Sequence, residues 1–206
     1  IELAIERIQR NVGDRPYGFN LIHAPTEPQS EAEVVELSLR RNVRLVSASA
    51  YIELTLPLIR YRVAGISRDS EGNVITPNKV IAKVSRVEVA RKFFSPPPAQ
   101  MLRTLVDGGF ITQRQAALAA EIPVAEDLTA EADSGGHTDN QSAISLVPTM
   151  LAVADEMQTR HGYRTPLRLG AAGGISTPES TAAAFAMGAS ASDGGAGYET
   201  PPAAEP

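Results

Sequence analysis

The chain has no cysteine and no tryptophan, and only 5% of its 206 residues are aromatic. Without cysteine there is no disulfide, no thiolate metal ligand and no thiol nucleophile. So few aromatics give little material for a platform that stacks bases. Charge argues the same way: at a net charge of -5 there is no general basic footprint for nucleic acid. No apolar run approaches the ~18–20 residues that cross a bilayer, and the first residues lack the pattern of a secretion signal. These absences fit a cytoplasmic protein with neither a membrane nor a nucleic acid as partner.

What is present is enough apolar material for a sizeable core, 43% of the residues, arranged in strands that alternate with helices. That alternation predicts an α/β fold with parallel strands. Ile1, Ile5, Ile8 and Val12 mark one face of an opening helix that Gly13 closes. A short strand follows at 16–22. Ser30 and Glu33 have the spacing of a capping box for a helix over 31–41. VRLVSASAY (43–51) reads as a strand buried on both faces. A helix over 54–66 and a small polar hairpin over 68–75 lead into a strand at 78–85. Beyond the SPPPAQ breaker, two short amphipathic helices over 101–122 are longer than an ordinary connection and read as an insertion, about 96–122. Thr112 and Gln115 form a capping box for the second. A fourth strand (127–133), a helix near 143–161 and a fifth strand (166–175) follow, and Ser176 or Thr177 caps a last helix. From Ser190 the composition turns small, polar and rich in Pro and Gly, which reads as a flexible tail over 190–206. The repeated units suit either a doubly wound sheet or a (β/α)8 barrel, although about five strands are legible where a barrel needs eight.

Four places carry chemistry. GAAGGIST (170–177) joins a strand to a helix start, where Gly173 and Gly174 let the backbone approach an anion and the helix dipole favours it; a plain tight turn is the alternative. In EADSGGHTDN (131–140), Gly135 and Gly136 clear side chains before His137 at a strand end, where barrel active sites form. There a histidine can exchange a proton near neutral pH. A surface-loop histidine is the plainer reading, and Asp133, His137 and Asp139 together could instead ligate a metal. The other two histidines, His23 and His161, have no obvious company. Lys83 lies inside a buried strand and calls for a carboxylate or an anionic ligand. Asn20 ends the first strand, where its amide can bond a heterocycle. Parallel strands bring such ends to one rim.

PYGFNLIHAPTEP (16–28), VSASAY (46–51), NKVIAKVSR (78–86), EADSGGHTDN (131–140) and GAAGGISTPE (170–179), in that order, resemble the PfaD-type enoyl reductases of polyunsaturated fatty acid synthases and of polyketide synthases with free-standing acyltransferases. That family is similar in turn to the nitronate monooxygenases, which are FMN-dependent TIM (β/α)8 barrels. The resemblance runs to about Ala189, so residues 1–189 are expected to form a partial FMN-binding barrel whose strands 1, 2 and 8 are missing from this chain. It implies FMN across the carboxyl rim, with Asn20 and Lys83 at the ring, Gly135 and Gly136 leaving room beside it, and Gly173 and Gly174 at the phosphate. It implies His137 as the proton-handling group and NADPH as reductant. The implied reaction, carried out in trans, reduces an enoyl thioester on an acyl carrier protein; an acyltransferase or synthase module is a possible further partner. A nitronate monooxygenase-like oxidase and a catalytically incomplete fragment are the alternatives.

Overall fold

The computed structural model describes residues 1–13, 15–133 and 138–193. Helix α1 (Glu2–Val12) leads into strand β1 (Phe19–Ile22), and α2 (Pro28–Arg40) and β2 (Leu45–Ser49) follow. Pro28 stands at the first turn of α2 with Glu27 as N-cap, so this helix begins earlier than the Ser30–Glu33 spacing predicts and that capping box does not form. A proline there has its φ already set for a helix and loses no hydrogen bond. Glu31, Val35 and Ser38, at the spacing of one helix face, are its buried residues.

Helix α3 (Leu56–Val63) is capped by the Thr55 hydroxyl. A two-residue hairpin, β3 (Ser67–Arg68) with β4 (Val74–Ile75), follows as expected. Strand β5 (Lys79–Val84), α4 (Val87–Phe93), α5 (Ala99–Asp107) and α6 (Gln113–Ala119) come next. The Thr112–Gln115 capping box is formed. Leu105 of α5 and Ala119 of α6 are fully buried, so this pair of helices belongs to the core. The chain continues through β6 (Asp127–Glu131), α7 (Ala143–His161), β7 (Arg168–Ala172) and α8 (Pro178–Ala186), which Thr177 caps. Ala191–Asp193 then forms β8 beside β7, a sixth strand where composition alone reads the start of a tail.

The six long-range strands are all parallel, in the order β1-β2-β5-β6-β7-β8. This order never reverses. A doubly wound sheet reverses direction once and so places helices on both faces. With right-handed crossovers, an order that only advances keeps every connecting helix on one side, which is how a barrel is wound. Burial agrees. Leu21, Val46, Val80, Leu128 and Leu169 face the helices and are each 2% exposed or less. Among the residues that alternate with them, Asn20, Ser47, Lys83 and Glu131 face the other side and stay wholly or partly exposed, while Thr129 and Ala172 are buried. Among the described residues β1 and β8 pair on one side only, so the sheet does not close into a barrel.

Candidate active site

The open face of the sheet ends, at the carboxyl termini of β2, β5 and β6, in a cleft of about 410 Å³ lined by Ser49, Tyr51, Lys83, Arg86, Glu131 and Asp139 among others. That volume lies within the range of ~300–1,000 Å³ usual for small-ligand sites. The period of two puts Lys83 and Glu131 on the same face of adjacent strands, and Lys83 Nζ lies 2.9 Å from Glu131 Oε1. Arg86 donates to both oxygens of Asp139, at 3.0 and 2.9 Å, and the Ser85 hydroxyl donates to the same carboxylate. The hydrogen bonds from Arg86 and then Ser85 draw Asp139 down to about pKa 2. The segment after β6 is thereby tied to the end of β5. It is also tied to itself, since Thr138 donates to Asp133 at 2.7 Å.

Of the residues singled out from sequence, Asn20 and Lys83 lie on the open face, and Lys83 lines the cleft. Asn20 Oδ1 accepts the Ser49 hydroxyl at 2.8 Å. The partner of Lys83 is a carboxylate, one of its two expected alternatives. Gly173 has φ 94°, and a Cβ on it would stand 2.2 Å from the Ala132 carbonyl oxygen. Close backbone packing at the ends of β6 and β7 therefore requires glycine there, with or without a ligand. Gly174 is in the left-handed region at φ 69° with room around it. At the start of α8, Ser180 Oγ takes up the amides of Ser176 and Thr177, so two donors expected for a phosphate are already engaged. Gly135, Gly136 and His137 lie outside the described residues, as does the His137 position of the alternative metal set. Among the described residues no group of three or more His, Asp or Glu could hold a metal ion, and no helix is long and apolar enough to cross a membrane.

No protein-family model matches the chain. Among curated proteins it is 47% identical over 190 residues to the polyketide biosynthesis protein PksE of Bacillus subtilis, covering 92% of this chain and 25% of that one. It is 43% identical over 188 residues to a polyunsaturated fatty acid synthase component of a Thraustochytrium species, covering 90% and 13%. Among solved structures, the enoyl reductase domain of MlnA, from the macrolactin biosynthesis cluster of Bacillus amyloliquefaciens, matches with a TM-score of 0.88 at 39% identity, over 93% of this chain and 44% of that one. Over 90% or more of its length the chain is homologous to the enoyl reductase domain of MlnA and to stretches of these two biosynthetic proteins. It spans a quarter or less of the length of these two curated relatives and under half of the solved chain.

This enoyl reductase homologue also contains a network that sequence alone does not announce. His23, without obvious company in the sequence, has its Nδ1 3.0 Å from Glu31 Oε2. Glu31, 4% exposed, also accepts the hydroxyls of Tyr51, at 2.9 Å, and of Thr55. The His23 ring stacks on Tyr51, with centroids 5.2 Å apart. Burial and then the Glu31 charge push the Tyr51 hydroxyl well above its ordinary pKa, so at neutral pH it is a donor. One signal is available: Glu31 precedes Val35 and Ser38 by four and seven residues, the spacing of one helix face.

Proposed function

We propose that the chain carries the cleft of a flavin-dependent enoyl reductase. In this reading it acts in trans to reduce the α,β double bond of enoyl thioesters borne by an acyl carrier protein, in polyketide or polyunsaturated fatty acid synthesis. The observation that carries this reading is the likeness, at 39% identity, to an enoyl reductase domain over nearly the whole chain, together with a cleft at the strand ends where such enzymes work.

The residues present fit FMN. Lys83 and Arg86 line the cleft of about 410 Å³ beside their carboxylate partners Glu131 and Asp139, so its two cations stand in ion pairs, and a ring that becomes anionic when reduced would compete with those carboxylates for them. A second hollow, lined by Ile175, Ser176 and Thr177, lies just after Gly173 and Gly174, at a helix N-terminus that favours a phosphate; a phosphate there would compete with Ser180 Oγ for the amides of Ser176 and Thr177. When bound, FMN supplies hydride for the β-carbon, with NADPH as the source of electrons. The chain's own contributions are orientation and charge: Asn20 and Lys83 at the ring, Gly173 and Gly174 at the phosphate. His137 is proposed to hold the proton that the α-carbon receives.

A second reading, that further strands must complete the site, is favoured by the two edges of the sheet: β1 and β8 each pair on one side only among the described residues. Under anaerobic conditions, with FMN and NADPH added, a short enoyl thioester should be converted to its saturated product with matching loss of NADPH, and His137→Ala should slow this by ~100-fold or more. Consumption of NADPH only with oxygen, and indifferent to thioester, would favour an oxidase of the nitronate monooxygenase kind instead.

A further inference from the structure

Ala50, directly after β2, has φ 63°. A non-glycine residue stays in that left-handed region only when its surroundings hold it there. Its own side chain is exposed, so packing of the methyl group does not do this. Its neighbours do. The Ser49 hydroxyl donates to Asn20 at 2.8 Å, and Tyr51 donates to Glu31 at 2.9 Å. Lys92 Nζ donates to the Ile52 carbonyl at 2.9 Å. The Tyr51 ring is itself gripped, stacked on His23 and met edge-on by Phe93 at 6.0 Å. Ser49, Ala50, Tyr51 and Ile52 all line the cleft. A strained backbone turn that is clamped on both flanks and faces a cleft is a preorganised recognition surface.

We propose that Tyr51, fixed by the buried Glu31 and by His23, is a positioning residue that holds the left-handed Ser49–Ile52 turn in shape for a planar ligand. The identity of that ligand as FMN rests on the function proposed above; the clamping of the turn does not. Tyr51 touches the cleft wall and not the reacting atoms, so its loss should act on binding and leave the chemical step of bound enzyme little changed.

The experiment compares the full chain with Tyr51→Phe, Ala50→Gly and the double variant, by hydrogen exchange without ligand at the amide of His23, which donates to the Ser49 carbonyl at 3.1 Å, and by FMN titration. Tyr51→Phe removes one hydroxyl and is expected to speed exchange at His23 and to weaken FMN by roughly tenfold, the effect of one lost hydrogen bond. Glycine accepts positive φ without strain, so Ala50→Gly in the Tyr51→Phe background should recover most of that affinity. Alone it should change affinity by no more than about twofold. Unchanged exchange at His23 in Tyr51→Phe, or a double variant that binds no better than Tyr51→Phe, overturns the proposal. If the unaltered chain does not bind FMN, the flavin reading fails separately, and exchange at His23 alone decides: faster in Tyr51→Phe supports the clamp, unchanged refutes it.

Discussion

Two carboxylates are buried at opposite ends of the same sheet, and their company differs. Glu126, 5% exposed, sits before β6 at the amino end, where Arg62, with no exposure at all, donates to it at 2.5 Å. The rest of that guanidinium is spent on the Pro123 carbonyl, the Thr76 hydroxyl and the Asn78 carbonyl. Lys79 approaches Glu126 at 3.4 Å. Every partner there is another part of the framework. Glu31, at the carboxyl end, is held instead by a histidine and two hydroxyls on loops, and one of those, Tyr51, walls a cleft. Both ends are hollowed, since Glu126 and Lys79 line a space of about 630 Å³ at the amino end; the difference is that Glu126 ties framework to framework, whereas Glu31 holds a turn that walls the cleft. That division matches the rule for barrel enzymes, in which the amino face carries stability and the carboxyl face carries chemistry.

The comparison is broken most forcefully at the amino end. Arg62→Met should cost about 3–5 kcal/mol, because it strands a buried charge, and urea unfolding will measure it. Burial alone would raise the pKa of Glu126, but Arg62 and then Lys79 outweigh that and hold it below its ordinary value. A depressed folded pKa contributes stability that is complete above the unfolded value, 4.5, and fades as pH falls through the lower folded one. The urea midpoint should therefore drop on acidification below that value, and the pH-dependent part of the drop should shrink in Glu126→Gln. At the carboxyl end the expected order is opposite. Tyr51→Phe should cost about 1.5–3 kcal/mol of stability, because the lost bond is to a buried carboxylate, while weakening the ligand. Lys83→Met should cost under about 1 kcal/mol, since its pair with Glu131 is partly exposed, yet abolish flavin retention. The smallest effect is expected at Phe110, 52% exposed under the Arg60 guanidinium. Phe110→Ala should change stability by no more than ~0.5–1 kcal/mol.

Much of this is legible in the sequence. Strand–helix alternation places five strands, and Lys83 in NKVIAKVSR announces its need for a partner. Glu131 supplies it because the period of two sets both on one face. VRLVSASAY, read as buried on both faces, is instead buried on one, with Ser47 and Ser49 partly exposed on the open side. The network at Glu31 is hidden because its partners His23, Tyr51 and Thr55 stand 8, 20 and 24 residues away in the chain; the Ser30–Glu33 spacing misleads separately, since Pro28 starts the helix first. Strand β8 is illegible for a different reason. Ala191–Asp193 is only three residues long and contains no β-branched or aromatic side chain, so its pairing to β7 comes from the sheet and not from propensity. At Gly173 the sequence points to a close approach between backbone and an anion, and the atom that the structure brings close is the Ala132 carbonyl oxygen.

The most direct test of the central claim, that the cleft at Lys83 is a flavin site, is an absorbance spectrum of the purified chain after incubation with FMN and desalting, beside that of Lys83→Met. The account predicts visible flavin bands near one equivalent per chain and their loss in the variant. A colourless chain, or bands that survive Lys83→Met unchanged, would contradict it.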